Sequence, residues 1–415
     1  MLSINTLSAV IFGLALLHTF SAKYFEALAH RIPRHEGLFH LLGEVEVVFG
    51  FWAFVLIALM AIFSSGEQAV AYLESRVYTE PLFVFVVMVI AASKPILNIV
   101  EKITLAIASV LPMDRRLAQV WLSLSIVPLM GSLITEPAAM TLAALILAPL
   151  VFTKPMPEHL KYAALGVLFV NVSIGGTLTS YAAPPVLMVA NTWHWDTHFM
   201  ATNFGWKSMI AVFINASIIS YFLRTKLLNS PVKKIEKNQN FAFSVSAIHL
   251  LMLSTVVIFA HHTVIFFAVF MFFLGYTQAY PRYQNPLILK EGLLVGFFLA
   301  GLVVLGGMQQ WWLQPIVSNL KPNELFFGAV ALTAVTDNAA LTYLGSLITD
   351  ISSASQYMLV AGAVAGGGLT IIANAPNPAG AALLKNGFNN ESIGALGLLA
   401  GAALPTIVAI ISLLI

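Results

Sequence analysis

The sequence predicts an all-α polytopic membrane protein of two inverted-topology repeats, each with five spans, one of them broken, and one re-entrant hairpin. Three observations predict it. The 415-residue chain is 59% hydrophobic and 9% charged, against roughly 25% charged in an ordinary soluble protein. Apolar windows of about 20 residues, long enough to cross the roughly 30 Å hydrocarbon core, recur from end to end. Finally, one pattern is written twice, as Thr135-Glu136-Pro137-Ala138-Ala139-Met140-Thr141 and as Thr336-Asp337-Asn338-Ala339-Ala340-Leu341-Thr342. Each copy places a carboxylate inside strongly apolar sequence. Such a group costs about 2.5 to 3.5 kcal/mol at the bilayer centre on insertion scales, so its presence suggests function.

Composition also excludes some classes. The net charge of +2 points to no nucleic-acid partner, because the basic residues fall between the apolar windows and form no single patch. Zero cysteines exclude disulfides and thiolate metal sites. The first 20 residues read as a retained helix, since no positive charge precedes the apolar run and Lys23 follows it.

The first repeat, residues 1–223, opens with expected spans at 4–20, 38–63 and 81–108. Residues 118–152 then form one apolar block, too long for one crossing and interrupted at Thr135-Glu136-Pro137. Proline lacks an amide proton and disfavours helix at the residue before it, so Glu136 is the expected breaking point of a hairpin. The segment 160–193 begins as a helix and dissolves at Ser173-Ile174-Gly175-Gly176-Thr177-Leu178-Thr179-Ser180-Tyr181-Ala182-Ala183-Pro184-Pro185. Irregular backbone at membrane depth is tolerated only where it is buried in protein or lines a cavity, so this predicts a broken helix beside a binding site. A span at 206–223 closes the repeat.

The stretch 224–240 is a basic linker, expected in the cytoplasm. The second repeat, 241–415, keeps the same order: spans near 245–261, 263–280 and 287–307, a hairpin at 324–350 and a broken helix at 356–386. That helix breaks at Gly366-Gly367-Gly368-Leu369-Thr370-Ile371-Ile372-Ala373-Asn374-Ala375-Pro376-Asn377-Pro378, before a last span at 392–415. Aligning Leu178-Thr179 with Leu369-Thr370 places Pro185 on Pro376, so two separate motifs carry the repeat.

Five crossings per half is an odd number, so the two halves enter the membrane from opposite sides. With both termini outside, the cytoplasmic connectors hold 16 of the 20 Lys and Arg, with Arg76, Lys207 and Lys321 outside and Lys94 within the membrane.

Each motif also has a plainer reading. Glu136 and Asp337 could lie near the interface and cap helix amino termini. Against this, about 16 apolar residues beside the tip at 1.5 Å each reach the midplane. The glycines could be close helix contacts; with the adjoining prolines, however, they free carbonyls and hydroxyls that suit a small cation. Beside the two acids, Thr135, Thr177, Thr179, Ser180, Thr336, Asn338, Thr370, Asn374 and Asn377 are the candidate ligands of such a cation, with sodium held at Glu136 and Asp337. Lys94, with Glu101 two turns on, has either a coupling role or a structural, snorkelling one. Glu44 and Glu46 face different ways and suit the cytoplasmic interface.

The histidines of His35-Glu36-Gly37-Leu38-Phe39-His40 are five apart and miss a common helical face, so the run reads as a connector. His194, Asp196 and His198 between tryptophans read as an interfacial belt, with a metal site a distant second. No Gly-x-Ser-x-Gly, P-loop or dinucleotide fingerprint is present, and an enzyme is not expected.

Together the two tips and two breaks resemble the ion-transporter superfamily of arsenite permeases, NhaD-type sodium/proton antiporters and sodium-coupled divalent-anion symporters. Most closely the chain resembles that superfamily's family of putative sodium/proton antiporters. The resemblance implies a homodimer with inverted repeats, whose tips and breaks hold coupling ion and substrate and whose core moves like an elevator. The divalent-anion branch has Ser-Asn-Thr at its tips, whereas two acidic tips repel a dianion, attract Na⁺ and supply proton acceptors.

The expected function is therefore exchange of Na⁺ or Li⁺ for H⁺ in the plasma (inner) membrane, with no cofactor besides the transported ion. The alternative is Na⁺- or H⁺-coupled transport of an anion such as a dicarboxylate or arsenite. The topology has a direct test, since the chain has no cysteine of its own. In intact cells, Arg76→Cys and Lys321→Cys are expected to react with an impermeant maleimide, and Lys154→Cys and Lys226→Cys only after permeabilisation.

Overall fold

Loop chemistry and small-residue packing shape the architecture of the computed structural model, which describes residues 3–21, 24, 25, 28, 31–228 and 243–415. Among these residues the chain is helical with no strand. Lys23 and most of the expected linker, including Lys233, Lys234 and Lys237, lie outside them.

The first half runs α1 (Ile4–Phe20), α2 (Glu36–Gly43), α3 (Val45–Phe63), α4 (Gly66–Glu74), α5 (Thr79–Ala91) and α6 (Lys94–Val110). It continues with α7 (Arg115–Leu124), α8 (Ile126–Ile134), α9 (Glu136–Leu147), α10 (Glu158–Gly175) and α11 (Pro184–Trp193). The short α12 (Thr197–Met200) leads through a π turn at Ala201–Gly205 into α13 (Trp206–Leu228). The second half runs α14 (Phe243–Ile258), α15 (Thr263–Ala279), α16 (Leu289–Gly306), α17 (Gln310–Val317), α18 (Pro322–Thr333), α19 (Asn338–Ser346), α20 (Ser353–Gly366), α21 (Asn377–Leu384) and α22 (Ala395–Leu414).

Helix starts follow their capping residues. Ser3, Ser65, Asp114 and Ser352 each accept a backbone amide from the first turn of α1, α4, α7 and α20, satisfying donors that the helix itself leaves unpaired.

Among the described residues, four helical segments are long and apolar enough to cross a membrane, or seven if each bent pair counts as one span; four shorter apolar helices accompany them. The chain is thus a multi-pass membrane protein. Its bends depart from the expected straight spans. The 81–108 segment is two helices inclined at 64°, separated at Ala92 and Ser93, and the 38–63 segment breaks at Glu44. The first arm of the 118–152 block is kinked by 43° at Ser125. Each of the four helices at the two tips is shorter than the expected 16 residues, with 9 in α8, 12 in α9, 12 in α18 and 9 in α19.

Glu44 meets Lys290 at 3.0 Å in a partly exposed pair. The side chain of Glu46 lies outside the described ones. His40 and Glu36 form an exposed pair one turn apart, and Asp196 caps α12 through the Phe199 amide.

Packing is close where glycines line the contacts. At Gly166 of α10 a Cβ would lie 2.4 Å from the backbone of Gly401 and Ala402 in α22, so the two helices touch main chain to main chain. Gly301 of α16 meets the backbone of Phe49 and Gly50 in α3 in the same way. The halves also interlock: α9 packs on α21, and α19 packs on α11. Each helix that follows a carboxylate tip therefore rests on the helix that follows the break in the other half.

A methyl at Gly166 has only backbone to displace, so Gly166→Ala is expected to cost about 1–3 kcal/mol through overpacking. It should lower the Tm of the detergent-purified protein. Gly13→Ala, where nothing lies within 4 Å of the added atom, should not lower the Tm and should raise it slightly, since alanine in a helix interior is favoured over glycine by roughly 0.5–1 kcal/mol.

Candidate ion-binding site

The chain turns at both acidic tips, but at different residues. Pro137 sits in the first turn of α9, where its missing amide would be unpaired in any case. The helix therefore begins at Glu136, and the break falls one residue earlier than expected, at Thr135. Thr135 has φ 76° and ψ 151°, a region that is essentially glycine's alone and costs about 1–3 kcal/mol for other residues. Its hydroxyl is buried without a partner. At the second tip Asp337 is the N-cap, and its Oδ1 accepts the amides of Ala339 at 2.8 Å and Ala340 at 3.2 Å.

Glu136 is fully buried. Its Oε2 accepts a hydrogen bond of 2.8 Å from Asn374 Nδ2, while Oε1 has no partner. A Cβ at position 176 would lie 2.5 Å from Oε1, so Gly176 at the end of α10 makes room for the carboxyl group. Asp337 lines a cavity of about 30 Å³ with Val295, Phe298, Ile372, Asn374, Ala375 and Pro378. A space of that size holds a water or a small ion. Asn374 thus meets both acids, Glu136 by a hydrogen bond and Asp337 across the cavity.

Neutral oxygen and nitrogen atoms surround this pair. Asn377 Nδ2 donates to the carbonyls of Gly367 at 2.7 Å and Thr370 at 2.9 Å, spanning the second helix break. The side-chain oxygens of Asn374 and Asn377, and both amide atoms of Asn338, are buried without partners. Unpaired buried polar groups are costly, and a cluster of them marks a place for water or an ion. The oxygens are hard ligands of the kind an alkali cation takes.

The remaining candidates make bonds of their own. Thr179 donates to the Ser132 carbonyl at 2.7 Å, and Thr370 to the Ala334 carbonyl at 3.0 Å; both fasten a break to a neighbouring hairpin arm. Thr177 bonds to Ile174 and to Ser208 on α13. Ser180 is half-buried beside Thr197, at 3.3 Å, and Thr336 is half-buried in the second turn. Lys94 opens α6 just after the bend, with Glu101 two turns along, both half-buried and neither lining the cavity.

Ser132 was not legible as important. Its hydroxyl donates to the Gly175 carbonyl at 2.7 Å and accepts the Leu178 amide at 2.9 Å, closing the end of α10. Its position one turn before Glu136 was the available signal. Among the described residues no three His, Cys, Asp or Glu converge as a metal site, the His194 cluster included.

These features describe a multi-pass helical membrane protein with a buried carboxyl at each of two tips and one asparagine that meets both. The family model described as "Putative Na+/H+ antiporter" matches residues 3–415, and the chain belongs to that family. This membership places it among membrane transporters. Among solved structures it is similar to the YdaH transporter of Alcanivorax borkumensis, whose crystal structure is described as having an unusual topology. The identity is 13%, over 89% of this chain and 96% of that one, with a TM-score of 0.48. Comparison with curated proteins finds no match.

Two substitutions test the local energetics by thermal melting in detergent. Thr135→Gly is expected to raise the Tm, because relief of about 1–3 kcal/mol of strain exceeds the roughly 0.5–1 kcal/mol that glycine's freedom costs. Asn374→Ala should lower it by the equivalent of about 1–3 kcal/mol, since it strips the buried Glu136 of its one donor.

Proposed function

We propose that the protein exchanges Na⁺, or Li⁺, for H⁺ across the plasma (inner) membrane through the site that Glu136 and Asp337 form. One observation carries this reading: both acids meet Asn374, one by a hydrogen bond and the other across a small cavity. Two carboxyls in a closed apolar site hold a cation when ionised, and a proton competes for the same negative charge. Membership of the antiporter family supports the same chemistry.

In the proposed arrangement α7–α9 and α18–α19 are re-entrant hairpins of two inverted repeats, entering from opposite sides, with both termini extracytoplasmic. A 12-residue arm spans about 18 Å, more than half the hydrocarbon thickness, so tips from both sides reach the middle. The interlocked packing of α9 on α21 and α19 on α11 supports this pseudo-symmetry. A homodimer, with the sodium ligands Asn338, Asn374 and Asn377 beside the two acids, completes the reading.

The test is a pH-gradient dye assay on purified protein in proteoliposomes. Adding Na⁺ or Li⁺ is expected to move protons, and Asp337→Asn to reduce the rate at least about tenfold, equivalent to roughly 1.4 kcal/mol. Absence of cation-driven proton movement at every pH, together with counterflow of a labelled dicarboxylate or arsenite, would replace this reading with anion transport.

A further inference from the structure

Glu136 and Asp337 share a place in the repeated sequence pattern but not in the folded chain. The two N-cap residues are Thr135 and Asp337, and the two first helical residues are Glu136 and Asn338. The glycine breaks keep the same register. A Cβ at Gly176 would collide with the Glu136 carboxyl, and one at Gly367 would lie 3.0 Å from the Asn338 amide nitrogen. The structural counterpart of Glu136 is therefore a neutral amide, and that of Asp337 is a neutral hydroxyl. The site holds two acids in two chemically different positions.

Those positions suit different tasks. Asp337 stands at the positive end of a nine-residue helix, where Oδ1 accepts two backbone amides, and it borders the cavity. Helix dipole and charge-assisted bonds compensate a permanent negative charge there. Glu136 is sealed from solvent, with a single amide donor on Oε2 and none on Oε1. A carboxylate buried with so few partners is costly, whereas the neutral acid keeps the Asn374 bond and loses the charge. The helices packed on α9 also carry Glu80, Lys94, Glu101, Lys102, Arg115, Arg116, Glu158, His159 and Lys161.

We propose that the two acids divide the exchange, Glu136 carrying the proton and Asp337 holding the cation in its cavity, with Asn374 positioned to couple them. This rests on the Na⁺/H⁺ reading above. Asn374 donates Nδ2 to Glu136 and offers its unpartnered Oδ1 to a cation beside Asp337, so a single amide senses both events. The charge balance follows. In the cation-loaded form, Asp337 and Glu136 are both ionised around one Na⁺. In the proton-loaded form, Asp337 is ionised and Glu136 is neutral. Both forms carry one net negative charge, so one proton exchanges for one Na⁺ without moving net charge.

The experiment uses proteoliposomes of wild type, Glu136→Gln and Asp337→Asn, each checked for monodispersity and melting. Wild type should exchange Na⁺ for H⁺ at a rate independent of a valinomycin-clamped potential. Glu136→Gln should keep radioactive-sodium self-exchange, lose its pH dependence and move no protons; Asp337→Asn should lose both activities. Loss of self-exchange in a folded Glu136→Gln, its retention in Asp337→Asn, or potential-dependent exchange would overturn the division while leaving the antiport reading intact. Wild type without Na⁺-driven proton movement would overturn both.

Should Glu136→Gln fail to fold, infrared difference spectra of wild type decide. The carboxylic acid band that vanishes on adding Na⁺ should shift with isotope-labelled glutamate. A shift with labelled aspartate instead would overturn the assignment.

Discussion

Wherever a helix stops inside an apolar interior, its unpaired amides and carbonyls must find partners, because no bulk water reaches them. The centre of this protein obeys that constraint. Ser132 closes the end of α10, Asn377 spans the break after α20, Thr370 ties that break to the second tip, and Asp337 caps α19. The same demand reaches the periphery of the core. Asn171 donates to the carbonyl of Leu124, freed by the kink at Ser125, and Asn215 links Asn171 to the Pro405 carbonyl. Broken helices are thus held open by side chains that would otherwise be expensive to bury.

What the constraint leaves over is the candidate site. After the caps and ties are made, the unsatisfied atoms at the tips and breaks are Thr135 Oγ1, Glu136 Oε1, Thr333 Oγ1, both amide atoms of Asn338, and the oxygens of Asn374 and Asn377. Ordinary buried polar groups pair at the first opportunity. These cluster between two strained or capped tips, so the fold retains them together at a cost that structure alone does not repay. Thr135 adds backbone strain to the same place.

Much of this was legible along the chain. The tips, the glycine-rich breaks and their order could be read from proline, glycine and carboxylate placement, because those residues act locally on the backbone. Asn374 and Asn377 stood out for the same reason, polar residues within a run that cannot continue a helix. The register was not legible. Thr-Glu-Pro and Thr-Asp-Asn look equivalent, yet proline in a first turn begins a helix one residue earlier than an aspartate N-cap does. The kinks at Ser125 and at Ala92-Ser93 were not read either, although Pro128 and Pro95 stand in the first turn of the helix after each and remove an amide there. Ser132 gave only its place one turn before Glu136, because a serine on an apolar helix matters through the neighbour it meets.

By itself, then, the sequence determined that this chain lives in a membrane, that helices break near Gly176 and Gly367, and that an acid stands at each of the turns at Thr135 and Asp337. Hydropathy and backbone chemistry are local, and a single chain displays them. Only the tertiary structure decided which acid is sealed and which borders a cavity, and that one asparagine serves both. Those are contacts between residues 238 positions apart, and packing, not composition, sets them.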